Sequence, residues 1–468
     1  MMRRTKIVCT LGPASNTVER IRALVDAGMD CARLNFSHGD HKDHAFVAKT
    51  LREVAARAGR PLAILADLSG PKMRIGRFPG GPIELVPGAP FILTTRDVPG
   101  TQDIVSVTYK PLPRDVRPGE PILLDDGLLQ LRVEKVVGDD VHTVVEIGGT
   151  LSNNKGLNMP GSALSAPALT AKDKVDAAFA VHELHVDYLA LSFVRTVDDV
   201  RECQALANGI PVIAKIEMPE AVTNLDAILD AAEGAMVARG DLGVELGSEK
   251  VPVVQKRIIR EVNRRGKLVI TATQMLDSMM RNPRPTRAEA ADVANAVLDG
   301  TDAVMLSGET ASGAYPVESV RMMDAIVRDV ESAKLIDPSS HIMTPKLTET
   351  WDFSSAAARA AALLSFTLPL KAIVILTRDG RTADLVSEYR PSAPIIAITP
   401  QVSAANRLAL AWGVTPRLGL PAEELEETLR IATTVLLRER ICEKGDAFAL
   451  VVGWPASSNT NTVKLHRL

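Results

Sequence analysis

The feature that most constrains the fold is an alternation of short β-branched segments with helical stretches. Eight strand-like segments occur at residues 5–11, 30–36, 62–68, 186–193, 211–217, 235–240, 268–274 and 303–308. Helical patterns lie between them at 17–27, 41–58, 172–182, 197–208, 220–231, 253–265, 287–298 and 316–331. This alternation predicts a parallel sheet with right-handed crossovers, and eight units predict a closed (β/α)8 TIM barrel in the α/β class. The strands are almost continuously apolar, as expected for burial on both faces.

Two further regions break this rhythm. Residues 70–166 lack helical periodicity and contain short β-type segments separated by Pro-Gly, Gly-Gly and Asp-Gly turns, which predicts a small inserted all-β lid domain. A new alternation in residues 345–468 predicts a C-terminal doubly wound α/β domain. The barrel domain is then expected over 1–69 and 167–340. Residues 334–347, with two prolines and several Ser and Thr, are the predicted linker.

Composition excludes several classes of protein. The 468 residues carry a net charge of −3 and only 3% aromatic residues, so we expect no nucleic-acid partner. No 18-residue apolar span is present, so no membrane association is expected. Four widely spaced cysteines favour reduced thiols in the cytoplasm over a disulfide framework.

Polar residues occur where the predicted barrel strands end. Active sites of such barrels lie at the C-terminal ends of the strands, so residues of seven strands are expected to meet at one rim. These are Arg33, Asn35, Ser37, Asp67, Ser192, Arg195, Lys215, Glu217, Arg239, Gly240, Asp241, Thr271, Thr273, Gln274, Ser307, Gly308 and Glu309. Any single one could be a paired or solvated strand end, but their convergence predicts a common site.

Two carboxylates at this rim, Glu217 and Asp241, end adjacent strands. Oxygen ligands without nearby Cys or imidazole favour Mg²⁺ or Mn²⁺ over zinc. Lys215 shares a strand face with Glu217 and is placed to stabilise a developing oxyanion or a transferring phosphoryl group. The alternative is a structural ion pair between Lys215 and a carboxylate.

Seven stretches of the chain carry a closer likeness. They are TKIVCTLGP at 5–13, RLNFSHG at 33–39, AKIE at 214–217, MVARGDLGVE at 236–245, TATQMLDSM at 271–279, PRPTRAE at 283–289 and DAVMLSGETA at 302–311. In this order they resemble motifs of the pyruvate kinase family, and the resemblance extends over essentially the whole chain. It implies a barrel with an inserted lid and a C-terminal α/β domain. It also implies phosphoryl transfer from phosphoenolpyruvate to ADP, giving pyruvate and ATP in glycolysis, and a homotetramer.

The resemblance also implies a role for individual residues. It assigns the divalent ion to Glu217 and Asp241, and the transferring phosphoryl group to Lys215 and Arg33. The substrate carboxylate would be bound by the amides of Gly240 and Asp241 together with Thr273, which would also lie near the enolate carbon that is protonated. The residues that border the nucleotide would be Asn35, His38, Arg74 and Lys155.

One departure from the family pattern concerns K⁺. Many members read DTKGPEIR after the third strand and bind K⁺ through the equivalents of Asn35, Ser37, Asp67 and the Thr. This chain reads DLSGPKMR at 67–74, so Leu68 lacks the hydroxyl and Lys72 replaces a carboxylate. A tethered ammonium can supply the charge that K⁺ brings, and Lys at this position resembles the K⁺-independent branch of the family. We therefore expect K⁺ not to be required; a solvated Lys72 without influence on the site is the alternative.

The effector and the reaction class leave alternatives open. The TRDGRT loop at 377–382 resembles the sugar-phosphate loop of allosteric members, but Asp379 opposes an anion, which makes fructose 1,6-bisphosphate a poor candidate. Another phosphorylated effector, or none, remains open. A metal-dependent aldolase of pyruvate-type substrates and a non-catalytic regulatory protein on the same fold are the alternative functions. The spacing of His38, His41 and His44 could indicate zinc, although a solvated helix face is favoured.

Overall fold

The computed structural model describes residues 2–162, 165–333, 352–420, 424–455 and 458–468. Eight parallel strands close into a barrel, in which the first strand pairs with both the second and the eighth. They are Lys6–Thr10, Cys31–Asn35, Ala63–Asp67, Tyr188–Leu191, Val212–Ile216, Gly234–Ala238, Leu268–Ala272 and Ala303–Leu306. The predicted barrel is confirmed. Each strand is shorter than its sequence pattern. From the fourth strand on, polar residues at the end of the pattern, such as Ser192, Glu217 and Thr273, lie outside the strand and begin the loops at the rim.

The helices that surround the barrel begin at capping residues. The Thr17 hydroxyl accepts a hydrogen bond from the amide of Arg20, and Asp40 and Thr286 each form a capping box. The helices are Val18–Ala27, His41–Ala58, Ala171–His182, Val197–Leu206, Pro219–Thr223, Leu225–Ala231, Arg239–Leu246, Val251–Arg264, Arg287–Leu298, Gly308–Ala311 and Pro316–Ser332, with a 3₁₀ turn at Asp277–Met280. The short helices Arg239–Leu246 and Gly308–Ala311 follow their strands directly, so their first turns lie at the barrel rim.

The single helix expected over 220–231 is wrong. Two helices occupy this span, with Asn224 between them at φ −92° and ψ 17°. The Asn224 side chain donates from Nδ2 to the carbonyl oxygen of Arg195 at 2.8 Å. Asn interrupts helices readily because its short polar side chain competes for backbone groups, a long-range effect that periodicity does not reveal.

The inserted region folds around its own apolar core. A six-stranded sheet and a two-stranded sheet enclose side chains such as Phe91, Leu93 and Leu131, which are fully buried. The strands are Ile83–Leu85, Pro90–Thr94, Ile104–Ser106, Pro121–Leu124, Leu129–Val137, Asp140–Ile147, Gly149–Leu151 and Leu157–Asn158, with a helical turn at Leu112–Asp115. The lid therefore has a core separate from that of the barrel.

The C-terminal region contains a five-stranded sheet. Its strands lie in the order Val414–Leu418, Ile395–Thr399, Leu370–Leu376, Ala447–Val452 and Thr462–Arg467, and only the last is antiparallel to its neighbour. The helices of this region are Phe353–Thr367, Arg381–Glu388, Val402–Leu408 and Leu425–Arg438. The α/β class is confirmed. The two outer strands were not predicted: Pro416 interrupts the pattern of one, and the other is half-exposed and polar, as edge strands commonly are.

The C-terminal region contacts the barrel end opposite the rim. The Lys6 ammonium, at the start of the first strand, donates to the carbonyl oxygen of Val414 at 2.6 Å. Arg390 forms an ion pair with Asp302 at 2.7 Å, and both side chains are buried. Because Asp302 directly precedes the eighth strand, this pair lies at the N-terminal end of the barrel. The rim is thereby left to the lid.

The predicted linker at 334–347 lies outside the described residues, and the predicted domain boundaries stay predictions. Among the described residues, no helix has the length and apolar character needed to cross a membrane.

Candidate active site

A cleft of about 380 Å³ lies where the barrel rim faces the lid. Residues predicted from the sequence that line it are Arg33, Asn35, Ser37, Lys72, Arg74, Lys155, Ser192, Lys215, Glu217 and Asp241. The other residues predicted for the rim or the site do not line it: His38, Asp67, Arg195, Arg239, Gly240, Thr271, Thr273, Gln274, Ser307, Gly308 and Glu309. The rim and the lid thus border one cleft.

The floor of the cleft is a buried cluster of charges. The Lys215 ammonium lies 3.3 Å from Glu217 Oε2 and 3.5 Å from Asp67 Oδ1, and it donates to the Ser192 hydroxyl at 2.7 Å. Arg33 donates from Nε to Asp67 Oδ2 at 2.7 Å and from Nη1 to the hydroxyl of Thr10 at 2.9 Å. Lys215 is therefore held among oxygens and faces the cleft.

These charges shift one another's protonation. Burial lowers the pKa of Lys215, but Asp67 and Glu217 more than offset this, so its pKa lies above the ordinary value. Burial raises the pKa of Asp67, yet Lys215 and Arg33 hold it below its ordinary value. Lys215 and Asp67 are consequently both charged at neutral pH, which keeps a positive group at the cleft floor.

Glu217 meets the requirements of a divalent-ion ligand. Its Oε1 accepts a 2.6 Å hydrogen bond from the amide of Phe193, whereas its buried Oε2 accepts none. Burial raises the pKa of Glu217, and the nearby Asp241 carboxylate adds to this rise. A divalent cation held by Glu217 and Asp241 would coordinate Oε2, which has no hydrogen bond and only the Lys215 ammonium 3.3 Å away, and would favour the charged form. Two carboxylates with room for water or substrate oxygens suit Mg²⁺, and the described residues contain no cluster of three His, Cys, Asp or Glu.

The loop after the seventh strand has an unusual backbone. Thr273 and Gln274 adopt φ values of 68° and 53°, a region that β-branched residues avoid. The buried Arg239 guanidinium donates from Nη2 to the Thr273 carbonyl oxygen at 2.7 Å and forms an ion pair with Asp292 at 2.7 Å. The Thr273 hydroxyl in turn accepts a hydrogen bond from the Gly240 amide at 2.7 Å. Thr273 and the start of the helix Arg239–Leu246 therefore form one unit.

The lid side of the cleft carries its own charges. The Lys155 ammonium pairs with Asp125 at 2.8 Å, and Arg74 donates from Nη1 to the Asn154 carbonyl oxygen at 2.8 Å. Burial and the carboxylates of Asp241 and Asp125 raise the pKa of Asp126. The lid thus presents basic groups across the cleft from the buried cluster.

Residues that match the K⁺ pocket of the family hydrogen-bond to groups of the protein. Asn35 Oδ1 accepts from the Ser37 amide at 3.1 Å, and the Ser37 hydroxyl donates to that of Ser69 at 3.3 Å. The Leu68 side chain is buried. Burial, Arg74 and Lys215 lower the pKa of Lys72, whereas Asp241 and Asp67 raise it. Lys72 therefore acts electrostatically on the same carboxylates that line the site.

The three histidines do not converge. His41 contacts Asp176 at 2.8 Å and stacks on Phe179, while His44 stacks on Phe36 and hydrogen-bonds the carbonyl oxygen of His38 at 3.0 Å. His44 is buried, so the favoured solvated face is wrong for that residue. Burial lowers the pKa of His38, and the cations Lys72, Arg74 and Arg33 lower it further.

Three contacts that hold predicted site residues in place were not predicted from the sequence. The Phe193 amide, the Thr10 hydroxyl and the Arg239–Asp292 pair each support a predicted site residue from a distant part of the chain. Conversely, Arg195 and Thr271 end strands but do not line the cleft; the Thr271 hydroxyl donates to that of Thr301 inside the barrel. Position at a strand end signals the rim, but no local pattern signals these partners.

Comparison with known proteins agrees with this architecture. A family model described as "Pyruvate kinase, barrel domain" matches residues 2–320, and one described as "Pyruvate kinase, alpha/beta domain" matches residues 355–466. The pyruvate kinase of Sporosarcina psychrophila is 45% identical over 474 residues, covering 99% of this chain and 80% of the relative. That of Corynebacterium glutamicum is 46% identical over 474 residues, covering 100% and 98%. Pyruvate kinase 2 of Synechocystis sp. is 46% identical over 459 residues, covering 96% and 76%.

Proposed function

The chain belongs to the pyruvate kinase family, and we propose that it transfers the phosphoryl group of phosphoenolpyruvate to ADP, giving pyruvate and ATP in glycolysis. The observation that carries the proposal is the Lys215 ammonium, held between Asp67 and Glu217 at the floor of a cleft covered by the lid. Phosphoryl transfer depends on positioning and on charge neutralisation more than on covalent help. A buried, permanently charged amine that faces the cleft supplies such charge.

Lys215 and Arg33 act on the phosphoryl group. The Lys215 ammonium stabilises the negative charge on the phosphoryl oxygens during transfer. Arg33 uses Nε and Nη1 for Asp67 and Thr10, which fixes the guanidinium, and we assign its remaining nitrogen, Nη2, to the phosphate. The structural alternative, in which Lys215 is only an ion-pair partner, does not account for its position in the lining of the cleft.

Thr273, Gly240 and Asp241 act on the rest of the substrate. The amides that begin the helix Arg239–Leu246 carry partial positive charge and suit the substrate carboxylate. We assign the Thr273 hydroxyl, which accepts a hydrogen bond from the Gly240 amide, to the same carboxylate and to the neighbourhood of the enolate carbon that receives a proton, as the family resemblance implies. The Arg239–Asp292 pair fixes the Thr273 loop and therefore acts as a positioning element.

We assign the remaining residues to binding of the divalent ion and of the nucleotide. A divalent cation, Mg²⁺ or Mn²⁺, would be held by Glu217 and Asp241 and would supply positive charge to phosphate and enolate oxygens. We assign Asn35, His38, Arg74 and Lys155 to the nucleotide phosphates, as the family resemblance implies. Asn35, Arg74 and Lys155 line the cleft, which supports their assignment, whereas His38 does not line it. A covering lid excludes water, which would otherwise compete with ADP for the phosphoryl group.

Lys215→Met tests the reaction directly. Pyruvate formation from phosphoenolpyruvate should require both ADP and Mg²⁺ in the wild-type enzyme, and the variant should lose about 10²–10³-fold in kcat. Lys174→Met removes an exposed amine that pairs with Glu202 and should leave kcat unchanged. If the wild-type protein forms no pyruvate from phosphoenolpyruvate but releases pyruvate from an aldol adduct of pyruvate without ADP, it belongs to the aldolase class. Absence of turnover of either substrate by the wild-type protein would indicate the non-catalytic alternative.

We further propose that turnover does not require K⁺. Asp67, the anionic member of the pocket, already accepts from Arg33 on one oxygen and lies near Lys215 with the other. Leu68 offers no hydroxyl, and Lys72 adds a fixed positive charge within the cleft. A monovalent cation would therefore be neither well coordinated nor needed for charge balance.

Lys72→Glu should create a dependence on K⁺. In buffer containing tetramethylammonium as the only monovalent cation, the wild-type rate should be unchanged by added KCl. The variant should lose about tenfold or more, because a negative charge replaces a positive one beside Asp67 and Asp241, and KCl should restore part of the rate. Lys135→Glu makes the same charge change on the exposed lid surface and should behave as wild type. A wild-type enzyme that is inactive until K⁺ is added would refute the proposal.

We propose that fructose 1,6-bisphosphate is not an activator. The cavity of about 430 Å³ in the C-terminal region is bordered by the 377–382 loop. There the Asp379 carboxylate accepts a 3.1 Å hydrogen bond from the Arg381 amide, and the Thr377 hydroxyl accepts one of 3.1 Å from the Gly380 amide. Amides that a phosphate would need are thus engaged, and Asp379 repels an anion. Another phosphorylated effector, or none, remains compatible with this cavity.

Saturation curves for phosphoenolpyruvate separate these cases. An activator of ordinary coupling strength lowers the half-saturating concentration by about fivefold or more. We expect fructose 1,6-bisphosphate to leave the curve unchanged, whereas Asp379→Ser, which removes the competing carboxylate, should make the enzyme more responsive. Strong activation of the wild-type enzyme by the bisphosphate would contradict this expectation.

We propose a homotetramer in the cytoplasm. Within the described part of the chain, the strand Thr462–Arg467 pairs with a neighbour on one side only, and Leu465 on it and Phe353 and Leu363 on the adjacent helix are exposed. An apolar group beside an unpaired strand is suited to contact a second copy. All four cysteines are free and buried, which agrees with a reducing compartment.

Light scattering after size-exclusion chromatography tests the assembly. The wild-type protein should have four times the 50.2 kDa mass of the chain. Leu465→Lys places a charge at the proposed contact and should give a smaller species, whereas Val253→Lys, at an exposed position on a barrel helix, should not. A monomeric wild-type protein would refute the proposal.

A further inference from the structure

The loop after the fourth barrel strand contains an unexplained backbone conformation. Phe193 adopts φ 57°, although bulky residues rarely occupy this region. In this conformation its amide points at Glu217 and donates to Oε1 at 2.6 Å. The preceding residue, Ser192, accepts a hydrogen bond from the Lys215 ammonium. Two adjacent residues of one loop therefore hold two groups of the cleft floor.

The Phe193 ring lies between two hydrophobic cores. It packs against the barrel cluster on one side and against the lid cluster on the other. It also covers Gly70, where the chain leaves the barrel for the lid: a Cβ at Gly70 would lie 2.5 Å from the ring carbon Cδ2. The ring is thus seated directly on the outgoing connection of the lid.

Both connections of the lid meet near this loop. The Gly70 amide, on the outgoing connection, donates to Asp173 Oδ1 at 3.0 Å. Thr170, on the returning connection, donates its amide to the other oxygen of Asp173 at 2.9 Å. Arg195, two residues after Phe193, donates to the carbonyl oxygen of Ala166 on the returning connection. The loop therefore contacts the base of the lid on both sides.

We propose that Phe193 is a positioning residue: packing of its ring against the lid keeps its amide directed at the divalent-ion ligand Glu217 and thereby couples the position of the lid to the orientation of that ligand. The inference rests on the proposed function, because it takes Glu217 as an ion ligand. The ring packs against the lid and against Gly70. These contacts stabilise the backbone conformation in which the Phe193 amide donates to Glu217. If the ring loses these contacts, Phe193 relaxes towards ordinary φ values and its amide turns away from Glu217 Oε1. Groups that orient metal ligands in this way typically change metal affinity by about 10–100-fold when removed.

Gly70→Ala tests the coupling from the connection between the barrel and the lid. Its methyl group would displace the Phe193 ring and would also lie 3.2 Å from the Ser192 Cβ of the same loop, while the Gly70 amide itself is bonded to Asp173. Gly59→Ala is a matched control: Gly59 has φ 60° against 65° for Gly70, so both substitutions put alanine at a similar left-handed φ, but a Cβ at Gly59 meets nothing within 4 Å. Phe193→Ala removes the ring itself. Mn²⁺ binding is measured on the full-length protein by the electron paramagnetic resonance signal of free Mn²⁺, without phosphoenolpyruvate or ADP.

We expect Gly70→Ala and Phe193→Ala each to raise the Kd for Mn²⁺ by about tenfold or more, and Gly59→Ala to leave it unchanged. The double variant should bind no more weakly than Phe193→Ala alone, because both changes act through the same ring. Phe193→Leu replaces Phe193→Ala in this cycle if circular dichroism shows that the alanine variant is unfolded. A wild-type Kd in Gly70→Ala, or effects that multiply in the double variant, would overturn the coupling alone. Failure of the wild-type protein to bind Mn²⁺ would overturn the ion assignment of the proposed function as well.

Discussion

The structure depends on burying an ammonium group among carboxylates at the mouth of a closed barrel. The side chains of Asp67 and Glu217 are 1% and 2% exposed and that of Lys215 is 12% exposed, so each charge would be costly without the others. No single element could bring them together, because they end the third and fifth strands. Closure of the barrel fixes these strand ends relative to one another. The desolvated charges can then act more strongly on a bound phosphoryl group than they would in water.

The sequence predicts the barrel and its rim well because both follow from local patterns. Apolar runs of strand length set the strands, and the polar residue at the end of each run marks the rim, as Arg33, Lys215 and Asp241 show. The same logic fails where a tertiary contact overrides the local pattern. Asn224 splits a helix because of a distant carbonyl, and Pro416 conceals an edge strand that tolerates it.

The partners of the site residues were beyond local reasoning for a different reason. Asp292 supports the Thr273 loop through Arg239, and each lies in a separate segment of the chain. Nothing in the residues around Asp292 distinguishes it from a solvated helix position. The family resemblance supplies roles for residues within long motifs. It does not supply the hydrogen bonds that orient them, which depend on how the loops close over the rim.

Backbone strain is concentrated where orientation matters most. Phe193 follows the fourth strand and Thr273 the seventh, and each adopts a left-handed conformation that costs roughly 1–3 kcal/mol. In both cases the strained residue contacts a group of the site: Phe193 through its amide to Glu217, and Thr273 through its hydroxyl to the Gly240 amide. A relaxed loop would aim these groups elsewhere. The packing of the barrel, the lid and the Arg239–Asp292 pair offsets this cost, and it thereby couples the stability of the fold to the geometry of the reaction.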